Sequence, residues 1–205
     1  MTDFLLSTAF TLWNLETSWL ELIAVILAFA MVYFNILELH WGWPLAIISS
    51  VLYFFLFWHQ RLYGDACLQI VFAVLAVWGW WVWLKGLEGS SIPITTSTLR
   101  SRLIFMVSGV VLWLVTGAFL RKYTDTDVPW WDAFPTAFSL VGQYLLAYKN
   151  LDNWLIWILV NVVSVGLFAW KGLWLTTLLY LAFIVLSVVG WRAWRARLSL
   201  ELEAS

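Results

Sequence analysis

Two tryptophans and an asparagine are spaced so that they could hold a flat, polar ligand inside an apolar stretch of the chain. Trp154, Trp157 and Asn161 stand at positions i, i+3 and i+7, which places them on one face of an α-helix. An indole face attracts a cation or an electron-poor ring, and an amide both donates and accepts hydrogen bonds. The pattern predicts a half-cage in which the two indoles stack on a planar substrate. For Trp154, an anchoring role at the membrane interface stays open, because it begins its helix.

Two further amides stand inside apolar stretches. Gln69 and Gln143 lie well within uncharged segments of the chain. An amide without a partner costs several kcal/mol in an apolar medium, so each must bond either to another helix or to a ligand. We include both as candidate substrate-binding residues, with the helix–helix bond as the alternative.

Other kinds of site are missing from these stretches. None contains Asp, Glu, Lys or Arg, and the two histidines, His40 and His59, stand at predicted helix ends. Ion-coupled transport normally needs an intramembrane ionisable residue, a metal needs three or four clustered ligands, and covalent catalysis needs a nucleophile beside a base. We therefore expect no catalytic residue, no metal and no cofactor, and the pattern favours a passive route over an intramembrane enzyme.

The composition is that of an integral membrane protein. Of the 205 residues, 63% are hydrophobic and only 11% are charged, which a water-soluble domain of this size does not show. The formal net charge of −1 offers no basic surface for nucleic acid. Charged residues divide the chain into seven uncharged stretches of 16 to 22 residues. A spanning helix usually has about 17–25 residues, so the two shortest stretches span only if their flanking charged side chains reach the interface. We predict an all-α fold with seven transmembrane helices at residues 22–37, 39–60, 66–84, 103–120, 133–148, 153–170 and 172–191.

An internal repeat organises these helices. The chain aligns with itself without a gap, and in that alignment Trp43, Gly79 and Trp83 match Trp154, Gly190 and Trp194. Three helices, one unpaired helix and three more give a 3+1+3 order with parallel repeats, a plan known from transporters. The predicted parts are an N-terminal interfacial segment at 1–19, a first repeat at 20–84, a linking region at 85–131 containing the linker helix 103–120, a second repeat at 132–194 and a cytoplasmic tail at 195–205.

The orientation follows from lysine and arginine on the short loops. Basic residues are more frequent on the side that holds the C-terminus. They are Lys85, Arg100, Arg102, Lys149, Arg192, Arg195 and Arg197 there, against Arg61, Arg121, Lys122 and Lys171 on the other side. We expect the C-terminus in the cytoplasm and the N-terminus outside.

With these motifs the chain resembles a known family, the PnuC-type vitamin transporters, and specifically its nicotinamide riboside transporters. The resemblance extends from about residue 20 to residue 194. It rests on Trp154-x-x-Trp157-x-x-x-Asn161 in the sixth helix, on the 3+1+3 repeat, and on Trp43-Pro44, Tyr53, Phe57, Leu62-Tyr63, Gln69 and Gly79-Trp80-x-x-Trp83 in the first repeat.

The resemblance implies a multi-pass protein of the bacterial inner membrane, a homotrimer with a duplicated arrangement similar to the sugar-exporting SWEET proteins. It implies facilitated diffusion of nicotinamide riboside, with phosphorylation by a separate cytoplasmic kinase to retain it, and it adds Tyr53 to the substrate-binding residues. Other members of the family look like transporters of thiamine or riboflavin, so these vitamins remain alternative substrates. A seven-helix ligand-sensing membrane protein without a transport cycle is the alternative from another class.

Overall fold

The structure, a computed structural model, describes residues 7–12, 15–59, 63–86, 92–172 and 174–204. Within them lie seven helices and one short hairpin. The hairpin strands are β1 (Thr8–Leu12) and β2 (Leu15–Ser18). The helices are α1 (Trp19–Ile36), α2 (Gly42–His59), α3 (Tyr63–Lys85), α4 (Leu99–Tyr123), α5 (Pro129–Ala147), α6 (Asn153–Trp170) and α7 (Trp174–Ala204).

The contacts divide the chain into two units, Met1–Leu84 and Lys85–Ser205. In the first unit α1 packs on α2, and the hairpin packs beside α1. In the second unit α4, α5, α6 and α7 each pack against the next helix in order. The linker helix α4 thus belongs with the second repeat.

Hydropathy and length alone identify only some of these helices as membrane-spanning. Among the described residues, four helical segments are long and apolar enough to cross a membrane, at Leu68–Lys85, Leu99–Tyr123, Asn153–Trp170 and Thr176–Leu200, and two shorter apolar ones lie at Leu22–Ile36 and Gly42–Phe55. Helix α5 is more polar, with Thr136, Ser139 and Gln143 in its sequence. It tolerates them because it packs between α4 and α6, and much of it is buried in protein.

Both ends of the chain contain secondary structure that was not predicted from the sequence. The described part of segment 1–19 forms an antiparallel hairpin, with Thr8 opposite Ser18 and Leu12 opposite Leu15, while Phe4 and Trp13 lie outside the described residues, as does Leu62. At the other end α7 continues through the predicted tail for 31 residues in all. No glycine or proline follows Gly190, and Arg, Ala, Leu and Glu are strong helix formers.

The corner that ends the first helix of each repeat has the same backbone form. Glu38 and Lys149, which the repeat alignment pairs, both adopt a positive φ, of 58° and 47°. In each corner the amide of the following residue bonds back to the helix, from Leu39 to the carbonyl of Phe34 and from Asn150 to that of Leu145, both at 2.9 Å. This is the left-handed helix ending that glycine usually occupies, here formed by residues of opposite charge.

Candidate functional site

Helix α6 positions the predicted site, and its residues are uncharged from Asn153 to Trp170. A stripe of buried side chains runs along it, comprising Asn153, Trp154, Ile156, Val160, Asn161, Ser164 and Leu167. The stripe combines indole, amide and hydroxyl groups with aliphatic ones. Among the described residues, no group of three or more His, Cys, Asp or Glu is placed to hold a metal ion.

Trp154 is buried against its own unit. Its side chain is 2% exposed, and its ring meets that of Trp194 edge to face, with centroids 5.4 Å apart and an interplanar angle of 88°. A Cβ added to Gly190 would lie 2.6 Å from the same ring, so only glycine lets helix α7 come this close. The ring therefore contacts protein in this conformation, and its predicted stacking on substrate stays a prediction.

The first repeat contains the same arrangement. The ring of Trp43 lies edge to face with that of Trp83, at 5.6 Å and 79°, and a Cβ on Gly79 would lie 2.2 Å from it. The Nε1 atoms of Trp43 and Trp154 are both buried without a hydrogen-bond partner among the described residues. A contact found in both repeats is part of the architecture, so it does not distinguish a substrate site.

Trp157 differs from Trp154 in its burial and in having no equivalent tryptophan in the first repeat. Its ring lies against Gly142 of α5, where a Cβ would be 3.2 Å from its Cε2 atom, and it packs beside the apolar cluster around Phe138 and Val160. The side chain is nevertheless only half-buried. The equivalent residue of the first repeat is Ala46. Trp157 is thus an indole that the duplicated packing does not require and that keeps accessible surface.

Asn161 lies one turn further along the same helix and is buried. Its Nδ2 donates to Oγ of Ser187 on α7 over 3.4 Å, and that hydroxyl donates to the carbonyl of Phe183 at 2.8 Å. A bond of 3.4 Å is long for an amide donor, so the side chain is weakly held. The bond joins α6 to α7, and the role of Asn161 in binding stays a prediction. The first repeat has Ser50 in its place.

Ser164 is a polar residue of this stripe that the sequence analysis missed. Its side chain is completely buried, and its Oγ has no hydrogen-bond partner among the described residues. A buried hydroxyl without a partner is unusual. The signal was available, since Ser164 continues the i, i+3, i+7 series of Trp154, Trp157 and Asn161 at i+10. Its equivalent in the first repeat is Tyr53.

The remaining predicted residues lie on three other helices. Gln143 is half-buried on α5, next to the Gly142 that contacts Trp157. Tyr53 on α2 and Gln69 on α3 are half-buried in the first unit. Within the second unit, the structure places Trp154, Trp157 and Asn161 along α6, and it places Gly142, next to Gln143, against Trp157. Their roles in binding, and those of the first-unit pair, stay predictions.

The profile of the family described as nicotinamide mononucleotide transporter matches residues 18–196. The chain belongs to the nicotinamide mononucleotide transporter family. This confirms the resemblance to PnuC-type transporters, and because the family consists of transporters, it supports transport rather than catalysis. The match covers both repeats and the linker helix, and it leaves out most of the N-terminal hairpin.

Individual relatives of this family have different named substrates. The nicotinamide riboside transporter PnuC of Escherichia coli is 24% identical over 87% of this chain and 86% of its own length. The riboflavin/roseoflavin transporter RibM of Streptomyces davaonensis is 25% identical over 95% and 93%. The crystal structure of the vitamin B3 transporter PnuC superposes with a TM-score of 0.71 at 23% identity, covering 87% of this chain and 81% of that one. The seven-helix membrane fold is thereby confirmed.

Proposed function

We propose that this member of the nicotinamide mononucleotide transporter family carries nicotinamide riboside across the bacterial inner membrane by facilitated diffusion. Phosphorylation of the riboside by a separate kinase in the cytoplasm makes the net movement inward. The riboside transporter PnuC of Escherichia coli, 24% identical to this chain, supports this substrate. The absence of any charged residue in α6 supports passive transport, because no coupling ion has a charged ligand there.

The observation that carries the proposal is the face formed by Trp157 and Asn161, which the first repeat replaces with Ala46 and Ser50. Nicotinamide riboside contains a pyridinium ring, a carboxamide and a ribose. The accessible indole surface of Trp157 suits the electron-poor ring. The weakly held amide of Asn161 suits the carboxamide or a pair of hydroxyls, and the neutral site binds without trapping a cation.

The proposed substrate-binding residues fall into two groups. Trp157, Asn161 and Gln143 form the group in the second unit, and Tyr53 and Gln69 form the group in the first. Trp154 is assigned the supporting role that its packing against Gly190 and Trp194 favours; direct stacking on the substrate is the alternative. A Trp154→Phe variant separates the two roles.

The transport claim is tested in proteoliposomes that contain the purified protein, a riboside kinase and ATP. Labelled nicotinamide riboside is expected to accumulate as its phosphate without any ion gradient, and empty liposomes provide the background. Uptake that stops when a proton or sodium gradient is abolished would contradict facilitated diffusion. A protein that binds the riboside but moves none across the sealed bilayer would instead be the ligand-sensing membrane protein.

Riboflavin is the second candidate substrate, because RibM is as similar to this chain as the riboside transporter is. Its isoalloxazine ring is also flat, and its ribityl chain bears hydroxyls, as does the side chain of thiamine. Competition decides among the three: unlabelled nicotinamide riboside is expected to inhibit labelled uptake at a lower concentration than riboflavin or thiamine. If riboflavin or thiamine inhibits at a lower concentration, that vitamin is the substrate instead.

We also propose that the chain is a homotrimer with its N-terminus outside and its C-terminus in the cytoplasm. The orientation rests on the excess of lysine and arginine on the loops of the C-terminal side. Native mass spectrometry of the purified protein gives the subunit count. A Ser205→Cys variant in a Cys67→Ala background, treated with a membrane-impermeant maleimide, gives the orientation. A cytoplasmic C-terminus is expected to stay unlabelled in intact spheroplasts, and labelling there would contradict the proposed orientation.

A further inference from the structure

Helix α6 begins at an aspartate whose side chain does not cap it. Asp152 holds the N-cap position, and its main-chain carbonyl accepts from the amides of Leu155 and Ile156 at 3.1 and 3.2 Å. An aspartate at this position normally bonds the first amides of its own helix through its carboxylate. Here the carboxylate makes no such bond. The buried carboxylate is committed elsewhere.

Its partner is Arg102 in the first turn of the linker helix α4. Nε of Arg102 donates to Oδ2 of Asp152 at 2.9 Å, and Nη2 donates to Oδ1 at 3.0 Å. Two parallel bonds between a guanidinium and a carboxylate fix relative orientation as well as distance. The pair therefore holds the beginning of α6 at a defined position and rotation against α4.

The segment 92–98, called the strap below, reinforces the same junction. The main chain of Thr95 pairs with the corner between α5 and α6. Its amide donates to the carbonyl of Lys149 at 3.1 Å, and its carbonyl accepts from the amide of Leu151 at 2.8 Å. The Nδ2 atom of Asn150 donates to Oγ of Ser97 at 2.9 Å, and its Oδ1 accepts from the main-chain amide of Asp152 at 3.0 Å. The strap and the ion pair thus fasten the linker region to one point, the start of α6.

The first repeat has no counterpart of this ion pair in its sequence. The residue equivalent to Asp152 is Trp41, and the linker helix that supplies Arg102 lies outside the repeat. The fastened helix is the one that contains Trp157 and Asn161. Trp157 stands five residues beyond Asp152, about 7.5 Å along the axis, so a rotation or shift of the helix start is transmitted directly to it.

We infer that Arg102 and Asp152 are positioning residues, whose bidentate pair sets the rotation of α6 and so presents Trp157 and Asn161 to the substrate. This inference rests on the proposed function, because it takes that face as the binding face. Neither residue is assigned any contact with the substrate. Their effect is exerted through the helix.

The test compares binding by purified full-length variants, measured calorimetrically with nicotinamide riboside. Asp152→Asn and Arg102→Gln are each expected to raise Kd roughly tenfold, which corresponds to the energy of one charge-assisted bond. The Kd of the double variant is expected to be no higher than the higher of the two single-variant values. Arg102→Lys keeps the charge without the fork and is expected to lie between wild type and Arg102→Gln. Arg100→Gln is the matched control, since Arg100 is exposed on the same helix turn and outside the pair.

A purely structural role would lower Tm and leave the Kd of the folded protein unchanged, and that result would overturn the inference. Arg102→Lys keeps the test decisive if Asp152→Asn does not fold. Amide hydrogen exchange of the ligand-free protein separates the inference from the proposed function. Faster exchange in residues 153–157 of Asp152→Asn, but not of Arg100→Gln, supports positioning even if the wild type binds no riboside, and equal exchange in both contradicts it.

Discussion

Trp154 and Trp194 meet edge to face in the second unit, and Gly190, one helical turn before Trp194, lies under the Trp154 ring. The arrangement occurs again in the first repeat between Trp43 and Trp83, over Gly79. Edge-to-face rings with centroids about 5 Å apart are a favourable aromatic geometry. The Gly-Trp-x-x-Trp sequence that ends both repeats therefore encodes a packing unit, and a substitution in it is expected to act on stability first.

Gly190→Ala is expected to destabilise the protein by about 1–3 kcal/mol, because the new methyl group would overlap the buried Trp154 ring. The measurement is Tm in detergent. Gly166→Ala is the control, since the nearest atom to its Cβ, on Trp131, is 3.7 Å away. That substitution is expected to be neutral or slightly stabilising, as alanine favours a helix over glycine. Equal losses in the two variants would contradict the packing role.

Trp154→Phe and Trp157→Phe are expected to separate stability from binding. The first variant leaves a gap between Trp194 and Gly190 and lowers Tm, with a small effect on the Kd for nicotinamide riboside. The second removes accessible indole surface and raises Kd, at little cost in Tm, because the residue is only half-buried. Thermal melting and calorimetry on the same preparations measure both. A large increase in Kd for Trp154→Phe at unchanged Tm would restore the direct stacking role.

Asn161→Leu is expected to abolish measurable binding while the protein stays folded. The leucine has a similar volume and removes both hydrogen-bonding groups, a loss of about 1–3 kcal/mol for each bond to the ligand. Ser187 keeps its bond to the carbonyl of Phe183, so the helix pair survives. Ser187→Ala is the control, and it is expected to change Kd little. If both variants weaken binding equally, the Asn161–Ser187 bond matters for binding, and a direct contact of the Asn161 amide with the ligand is not needed.

Lys149→Gly is expected to raise the free energy of unfolding by about 1 kcal/mol. Lys149 has a φ of 47°, and the left-handed backbone conformation costs a residue with a Cβ about that much energy. Lys149→Ala keeps the strain and serves as the comparison. Tm is the measurement for both. A lower Tm for the glycine variant than for the alanine variant would show that the chain entropy of glycine outweighs the relieved strain.

The features that could be predicted from the sequence depend on local composition. Uncharged stretches predicted both ends of α1 to α6 and the start of α7 to within four residues, because a charged side chain is costly inside the bilayer. They did not predict the end of α7, which continues to Ala204. The i, i+3, i+7 spacing predicted that Trp157 and Asn161 share a face, since helical periodicity follows from position alone. The repeat was visible because packing around Trp43 and Trp154 requires glycine and tryptophan at fixed distances.

Features that depend on distant parts of the chain were not predicted. Arg102 and Asp152 are far apart in the sequence, so nothing local to either residue indicates that they pair. The burial of Trp154 depends on how closely α7 approaches, which Gly190 allows but does not reveal alone. The orphaned hydroxyl of Ser164 is a property of its surroundings, since a serine of the same spacing could equally bond to its own helix.

The length of α7 has a consequence for imaging so small a protein. Its 31 residues extend over about 46 Å at the rise of an α-helix, against about 30 Å of hydrocarbon. If the helix crosses the bilayer without a large tilt, roughly three of its turns are therefore expected to lie outside the hydrocarbon. A soluble helical domain spliced in register onto Ala204 would share this axis and serve as a fiducial for particle alignment, whereas a splice through a flexible linker would not.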